Sequence, residues 1–243
     1  MCSVAHAVRP FITDDARVVG WRLFQWESWL RMDVAGMQSW HMFAYGPHKN
    51  VELSLGMVGG GDFTERPSLH ATFAAPLLQI KFLLREYKPN KAPGVAFSMG
   101  SFLPYGRGAT RPPGYGAYSI LMLTQSFFKN DGVLIHGNIG GNYLRIDKQN
   151  DLKLIWGLGT QIRMHGGFHF VGEVFSGDPY VAGAGTAVQA GMRYFVSDLL
   201  QLDMTIGNGL GGTEPMPVWI SGGVRWVTEY FYRKRNKKQH VNF

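Results

Sequence analysis

From Leu152 to Arg163 the chain alternates, with Leu152, Leu154, Trp156, Leu158 and Ile162 set against Lys153, Gln161 and Arg163. A strand turns successive side chains to opposite faces, so this pattern predicts one apolar and one polar face. The same pattern returns near the C-terminus. Val218, Ile220, Gly222, Val224, Trp226, Thr228, Tyr230 and Tyr232 share one parity there, and Ser221, Arg225 and Glu229 share the other. About fifteen residues of alternation exceed the ~5–6 residues of a usual soluble strand. The run also ends in aromatics, so it predicts a tilted membrane strand closed by an aromatic girdle, with Tyr230 and Tyr232 as girdle residues.

The preceding segments follow the same rule. A first strand over residues 21–31 sets Phe24, Trp26, Ser28 and Leu30 against Gln25 and Glu27. Gln38–Tyr45 makes a second, with both faces half apolar. Val51, Leu53, Leu55 and Met57 oppose Glu52 and Ser54; Leu78, Ile80, Phe82 and Leu84 oppose Gln79, Lys81 and Arg85. Pro76 cannot donate to a ladder and should mark a strand start or a bulge. Val95, Phe97 and Met99 open the next strand. Tyr118, Ile120, Met122, Thr124, Ser126 and Phe128 read as the outward row of another, with Tyr118 and Phe128 as its girdle. Ten residues at ~3.4 Å each and ~40° tilt rise roughly 26 Å, close to the ~25 Å apolar band of such barrels.

Further on, Val133, Ile135, Ile139 and Tyr143 oppose His136, Asn138 and Asn142, and Phe168, Phe170 and Val174 oppose His169 and Glu173. Val188, Ala190, Met192, Tyr194 and Val196 oppose Gln189 and Arg193; Leu200, Leu202, Met204 and Ile206 oppose Gln201 and Asp203. Connections are short at residues 46–50, 129–132, 164–167 and 197–198 and mostly longer at the other end, where 59–70, 103–116, 177–185 and 207–217 read as loops. About twelve strands in up-and-down order follow, an all-β transmembrane antiparallel barrel. An even count places both termini on the periplasmic side of a bacterial outer membrane. Glu27, Glu52, Lys81, Arg85, His136, Asn138, Asn142, Lys153, Arg163, His169, Glu173, Arg193, Asp203, Arg225 and Glu229 are the lumen-facing candidates.

Composition agrees with a wall. The mean hydropathy of −0.08 is too low for a helical membrane protein, and no apolar run approaches the ~18–20 residues that a spanning helix needs. Thirty-two glycines suit turns, bulges and close-packed strands. The net charge of +7 suggests nucleic acid until Arg233, Lys234, Arg235, Lys237 and Lys238 are set aside, after which +2 remains. No nucleic-acid partner is expected. Cys2 is the one cysteine, which excludes a disulfide framework and a cysteine zinc site. Ala5-His6-Ala7 has the form of a signal-peptidase site, so residues 1–7 read as the remnant of a signal peptide cut after Ala7. Residues 8–232 then form one barrel domain, and 233–243 a basic periplasmic tail.

Little else suggests chemistry. Gly207-Asn208-Gly209-Leu210-Gly211-Gly212 has dinucleotide-loop spacing, but Pro215 and Pro217 follow where a helix is required. His165, His169 and Glu173 are four apart, which on a strand is ~13 Å, too far to share one ion. No catalytic residue, metal or cofactor is assigned, and His136 reads as a hydrogen-bonded lumen histidine. The inward cations and anions are near balance, which fits either a salt-bridged plug or a narrow aqueous channel.

Arg9-Pro10-Phe11-Ile12-Thr13-Asp14-Asp15-Ala16-Arg17, Pro76-Leu77-Leu78-Gln79 with Leu83–Tyr87, and Phe175-Ser176-Gly177-Asp178-Pro179-Tyr180 resemble an outer-membrane family associated with the meta-pathway of phenol degradation. The resemblance implies a barrel transporter connected with uptake of aromatic compounds, and it carries over no catalytic residue. The expected function is a passive channel or transporter for small hydrophobic or aromatic molecules. Its rivals are a lipid-modifying barrel enzyme, a non-conducting structural barrel and, more remotely, a soluble ligand-binding barrel. Expected partners are outer-membrane lipid, the barrel-assembly machinery at the closing strand, and a small-molecule permeant.

Overall fold

A computed structural model describes residues 11–63, 70–128, 131–178, 181–212 and 216–228. The segments read as signal remnant and basic tail, and Glu229, Tyr230 and Tyr232, lie outside them. The chain forms β1 (Phe24–Asp33), β2 (Gly36–His48), β3 (Val51–Asp62), β4 (His70–Arg85), β5 (Gly94–Phe102), β6 (Gly106–Arg107) and β7 (Tyr115–Phe127). Then follow β8 (Val133–Ile146), β9 (Gln149–Arg163), β10 (Phe168–Asp178), β11 (Val181–Phe195), β12 (Leu200–Gly211) and β13 (Trp219–Thr228).

Every long strand pairs antiparallel with its chain neighbours, and β1 pairs with β13 from Phe24↔Thr228 to Asp33↔Trp219. That last pairing closes the ring. The two-residue β6 only lies along β4 at Phe73 and Ala74, so twelve long strands make the wall. Closure removes the exposed sheet edges that an open membrane sheet would present to lipid. Both ends of the wall, Phe24 and Thr228, stand at the same rim. This turn-side rim also carries the connections at 49–50, 86–93 and 196–199.

At the opposite rim, strands run further than their alternation suggests. β3 continues through Gly59, Gly60 and Gly61, which pair with Phe73, Thr72 and Ala71. β10 and β11 extend to Asp178 and from Val181, and β12 reaches Gly211, so much of what reads as loop is ladder. Glycine-rich stretches lack alternation, yet their backbone carries the same donor and acceptor groups and completes the ladder here. Asp33–Gly36 and Ile146–Gln149 are hairpins with two-residue turns at this rim, so short turns are not confined to the other end. Pro76 lies in a bulge, where pairing shifts between Gly56↔Leu77 and Val58↔Ala74.

The outer face carries Leu152, Leu154, Leu158, Met204, Ile206 and Trp226, each more than a third exposed. β7 differs from its expected parity. Tyr118, Ile120, Met122, Thr124 and Ser126 are buried inward, and Tyr115, Leu121, Leu123 and Phe127 face out. Phe128 sits past the strand in a left-handed turn (φ 63°). Tyr118 and Phe128 therefore do not share an outward row, and the aromatics that do so on β7 are Tyr115 and Phe127. Tyr118, Ile120 and Met122 face inward because they pack against Ala16, in a cluster with Ala96 and Ile155.

Candidate functional site in the lumen

Residues 11–19 do not stay outside the wall. They run as an extended segment through the barrel interior, where Phe11, Thr13, Asp15, Ala16, Val18 and Val19 are all buried. Most of the anchors are main-chain amides. Glu173 on β10 accepts from Ile12 N–H and Thr13 N–H at 2.7 Å each. Thr124 Oγ1 on β7 accepts from Ala16 N–H at 2.9 Å, and Glu52 Oε2 on β3 accepts from Val19 N–H at 2.8 Å. Asn138 on β8, with its amide turned to match its neighbours, donates to the Asp14 carbonyl (2.8 Å) and accepts from its N–H (2.6 Å). Since β10, β7 and β3 lie far apart around the ring, the segment crosses the lumen from one wall to another.

Its side chains add one ion pair to the wall and one within the segment. Asp14 Oδ1 accepts from Lys81 Nζ of β4 at 2.8 Å, and Asp15 binds Arg17, whose Nε donates to it at 2.6 Å. Burial pushes the Asp14 carboxyl up to about 6, with Asp15 and Glu52 adding to the rise and Lys81 opposing it. Burial alone would also raise Asp15, but Arg17 and Lys81 hold it below the usual carboxylate range. Asp15 returns the effect, holding Arg17 above its ordinary value against burial.

Apolar contacts complete the seat. Ile12 packs on the inward cluster of Phe175, Ala187, Met216 and Trp219, and the Phe11 ring lies 5.6 Å from that of His136. The approach to β9 depends on glycine: a Cβ at Gly157 would fall 2.3 Å from Thr13 Oγ1 and 3.2 Å from its Cβ. Between Ile12, Thr13 and the β7–β10 wall lies a gap of about 10 Å³, room for about one water. At the turn-side rim the lumen opens into a cavity of about 380 Å³, lined by Arg17, Asp131, Gln161, Arg163, His169 and Asp198 among others.

The expected lumen residues divide as follows. Glu52↔Lys81, Glu27↔Arg225 and Arg193↔Asp203 face each other across neighbouring strands as opposite-charge pairs. Such pairing is what inward charges need. Gln25 and Gln161 extend it, accepting from Arg225 Nε (2.9 Å) and from Arg193, while Gln161 Nε2 contacts His169 Nδ1 at 2.9 Å. His136 is 1% exposed, with Nδ1 3.0 Å from Thr124 Oγ1, so it supports the residue that holds Ala16. Asn142 stands inward, across from Tyr118. Arg85 does not join them: a register shift between Leu83 and Arg85 turns it out of the inward row, and its Nε donates to the Pro93 carbonyl at the rim. Lys153 keeps inward parity but stands where β8 and β9 outreach the barrel, 55% exposed and paired with Asp151 at 3.2 Å.

Sequence reasoning assigned no lumen role to Thr13, Asp14, Asp15 and Arg17, because residues 11–19 show no periodicity, and it set Thr124 on the outward row of β7. The signal that was present is chemical: Asp14-Asp15 beside Arg17, in a stretch too short for a strand, ahead of a wall with inward charge. Among the described residues no group of three His, Cys, Asp or Glu side chains is placed to hold a metal ion.

A closed ring of tilted antiparallel strands with an apolar exterior and a charged interior is the architecture of the outer-membrane barrels. No protein-family model matches the chain, and no curated protein matches it. Solved structures do. An outer membrane channel from Pseudomonas putida F1 aligns with a TM-score of 0.65 at 8% identity, over 88% of this chain and 98% of that one. The KdgM porin, solved with disordered oligogalacturonate, aligns at 0.54 and 7% identity, over 84% of this chain and 98% of its own. The NanC porin aligns at 0.52 and 8% identity, with the same two coverages. At such identities the likeness is one of fold.

Proposed function

We propose that the chain is a passive channel of the bacterial outer membrane, with both termini on the periplasmic side and residues 11–19 as its internal constriction. The observation that carries this reading is the seating of that segment. It crosses the lumen on hydrogen bonds to Glu173, Thr124, Asn138 and Glu52, and beside it a cavity of about 380 Å³ opens at the turn-side rim. A barrel of twelve strands lies between the filled eight-stranded and the wide sixteen-stranded kinds, so one extended segment is enough to govern its bore. Likeness of fold to channels and porins supports the same reading.

The permeant we infer is small, with an apolar or aromatic face. Trp29, Trp40, Phe175 and Trp219 face inward in apolar clusters beside the paired charges, a lining suited to aromatic molecules as well as water. Planar-bilayer recording tests the proposal. The full chain should give small, steady conductance, and deletion of residues 11–19 should enlarge it several-fold while the barrel still folds. Absence of conductance from both proteins would leave a structural barrel instead.

A further inference from the structure

Not every polar side chain turns inward. On the outer wall, His41 of β2 stands directly across the ladder from Ser28 of β1. Ser28 Oγ lies 3.0 Å from His41 Nδ1, and Ser39 Oγ, two residues back on the same face, lies 3.3 Å from Nε2. All three side chains are half-buried. The imidazole is nearly parallel to the Trp26 indole, at 3° with 6.5 Å between centroids.

A proton count shows what the cluster lacks. A neutral imidazole has one N–H and one acceptor nitrogen, and each serine has one O–H. The two contacts use two of these three protons in either tautomer. One hydroxyl proton is always left over, and among the described residues none of the three side chains makes a further hydrogen bond. Facing hydrocarbon, a donor without an acceptor is costly.

Depth suggests the acceptor. On the same outward rows, Ser28 is followed toward the turn-side rim by Trp26 and Phe24, and His41 by Phe43 and Tyr45; Trp226 faces Trp26 from β13. Phe24 and Phe43 stack at 6.1 Å. These aromatics form a girdle, which marks headgroup level. Two residues along a tilted strand put Ser28 roughly 5 Å further into the bilayer than Trp26, the level at which glycerol–acyl ester groups lie. Ester carbonyls accept hydrogen bonds and carry no proton of their own.

The geometry points to Ser28, Ser39 and His41 as a lipid-facing site that holds the acyl-ester carbonyl of a glycerophospholipid in the leaflet at the turn-side rim. The spare serine proton is the donor. His41 fixes which serine supplies it through its tautomer, and Trp26 and Leu30 border the path of the acyl chain.

The test separates ester from everything else in the lipid. The full-length barrel is reconstituted in vesicles holding equal amounts of diester and diether phospholipid with the same headgroup and chains, then released and its retained lipid identified by native mass spectrometry. Wild type should retain the diester lipid about two- to tenfold over the diether, the worth of one net hydrogen bond. The Ser28→Ala/Ser39→Ala double variant should fold to a heat-modifiable barrel with no preference. Equal retention by wild type, or a preference that survives in the double variant, overturns the assignment. Release of lysophospholipid that depends on Ser39 overturns it too, replacing a holding site with a cleaving one.

Discussion

Lys81 Nζ lies 2.8 Å from Asp14 Oδ1 and 3.9 Å from Asp15 Oδ1, joining the wall at β4 to the segment that crosses the lumen. Lys81 is also the cross-strand partner of Glu52, which itself holds Val19 N–H. One cation thus serves three carboxylates. Lys81→Met should leave Asp14 and Glu52 without their cation, while Asp15 keeps Arg17, at a cost of about 3–5 kcal/mol. The loss should appear as a lower temperature for the heat-modified mobility shift, together with larger and noisier conductance.

Acid should tighten the constriction. Asp14 in the seated segment has its carboxyl pushed up to about 6, above its ordinary value. The seated form therefore binds a proton more readily than the released form, and seating gains as pH falls through that range. Asp15 is held low and still ionised there, and it loses its contribution only under stronger acid. Lys81 and Glu52 are the wall charges facing Asp14. Conductance should fall between about pH 7 and about pH 5, with an inflection near that of Asp14, and Asp14→Asn should flatten the response.

Gly157 is the point at which β9 gives way to the segment. Gly157→Leu would place carbon where Thr13 sits, so the segment should leave β9 while the ring of strands stays closed. Increased conductance with a melting temperature near that of wild type is expected. Unchanged conductance would show that Thr13 does not lie against β9.

The parity of β7 is testable by charge. Leu121 faces lipid midway between Tyr115 and Phe127, so Leu121→Arg should destabilise the barrel by about 2–4 kcal/mol. Tolerance of arginine there would restore Tyr118, Ile120 and Met122 to the lipid face.

Alternation made most of the wall legible: Glu52, Glu173, Arg193, Asp203 and Arg225 all stand on the inward parity that period two assigns them. The rule assumes a polar interior, and it fails where the interior is apolar. On β7, Ile120 and Met122 pack on Ala16, so both faces of the strand are hydrophobic and parity cannot be read from residue type. Arg85 was lost to a bulge, which shifts parity without a composition signal. The segment at 11–19 was hidden for another reason. It is held mostly through its own main-chain amides, whose hydrogen bonds to wall side chains do not depend on which side chains the segment carries.

A designed disulfide can tie residues 11–19 to the inside of the barrel wall. A Cβ placed at Gly159 would lie 3.5 Å from that of Thr13, at the edge of the ~3.5–4.5 Å that a disulfide spans. In a Cys2→Ser background, Thr13→Cys with Gly159→Cys should form the bond in the folded barrel. Both thiols should resist maleimide until reductant is added, and conductance should stay low and steady while the bond is closed. Two thiols that label freely in the intact, heat-modifiable barrel would place the segment outside the lumen.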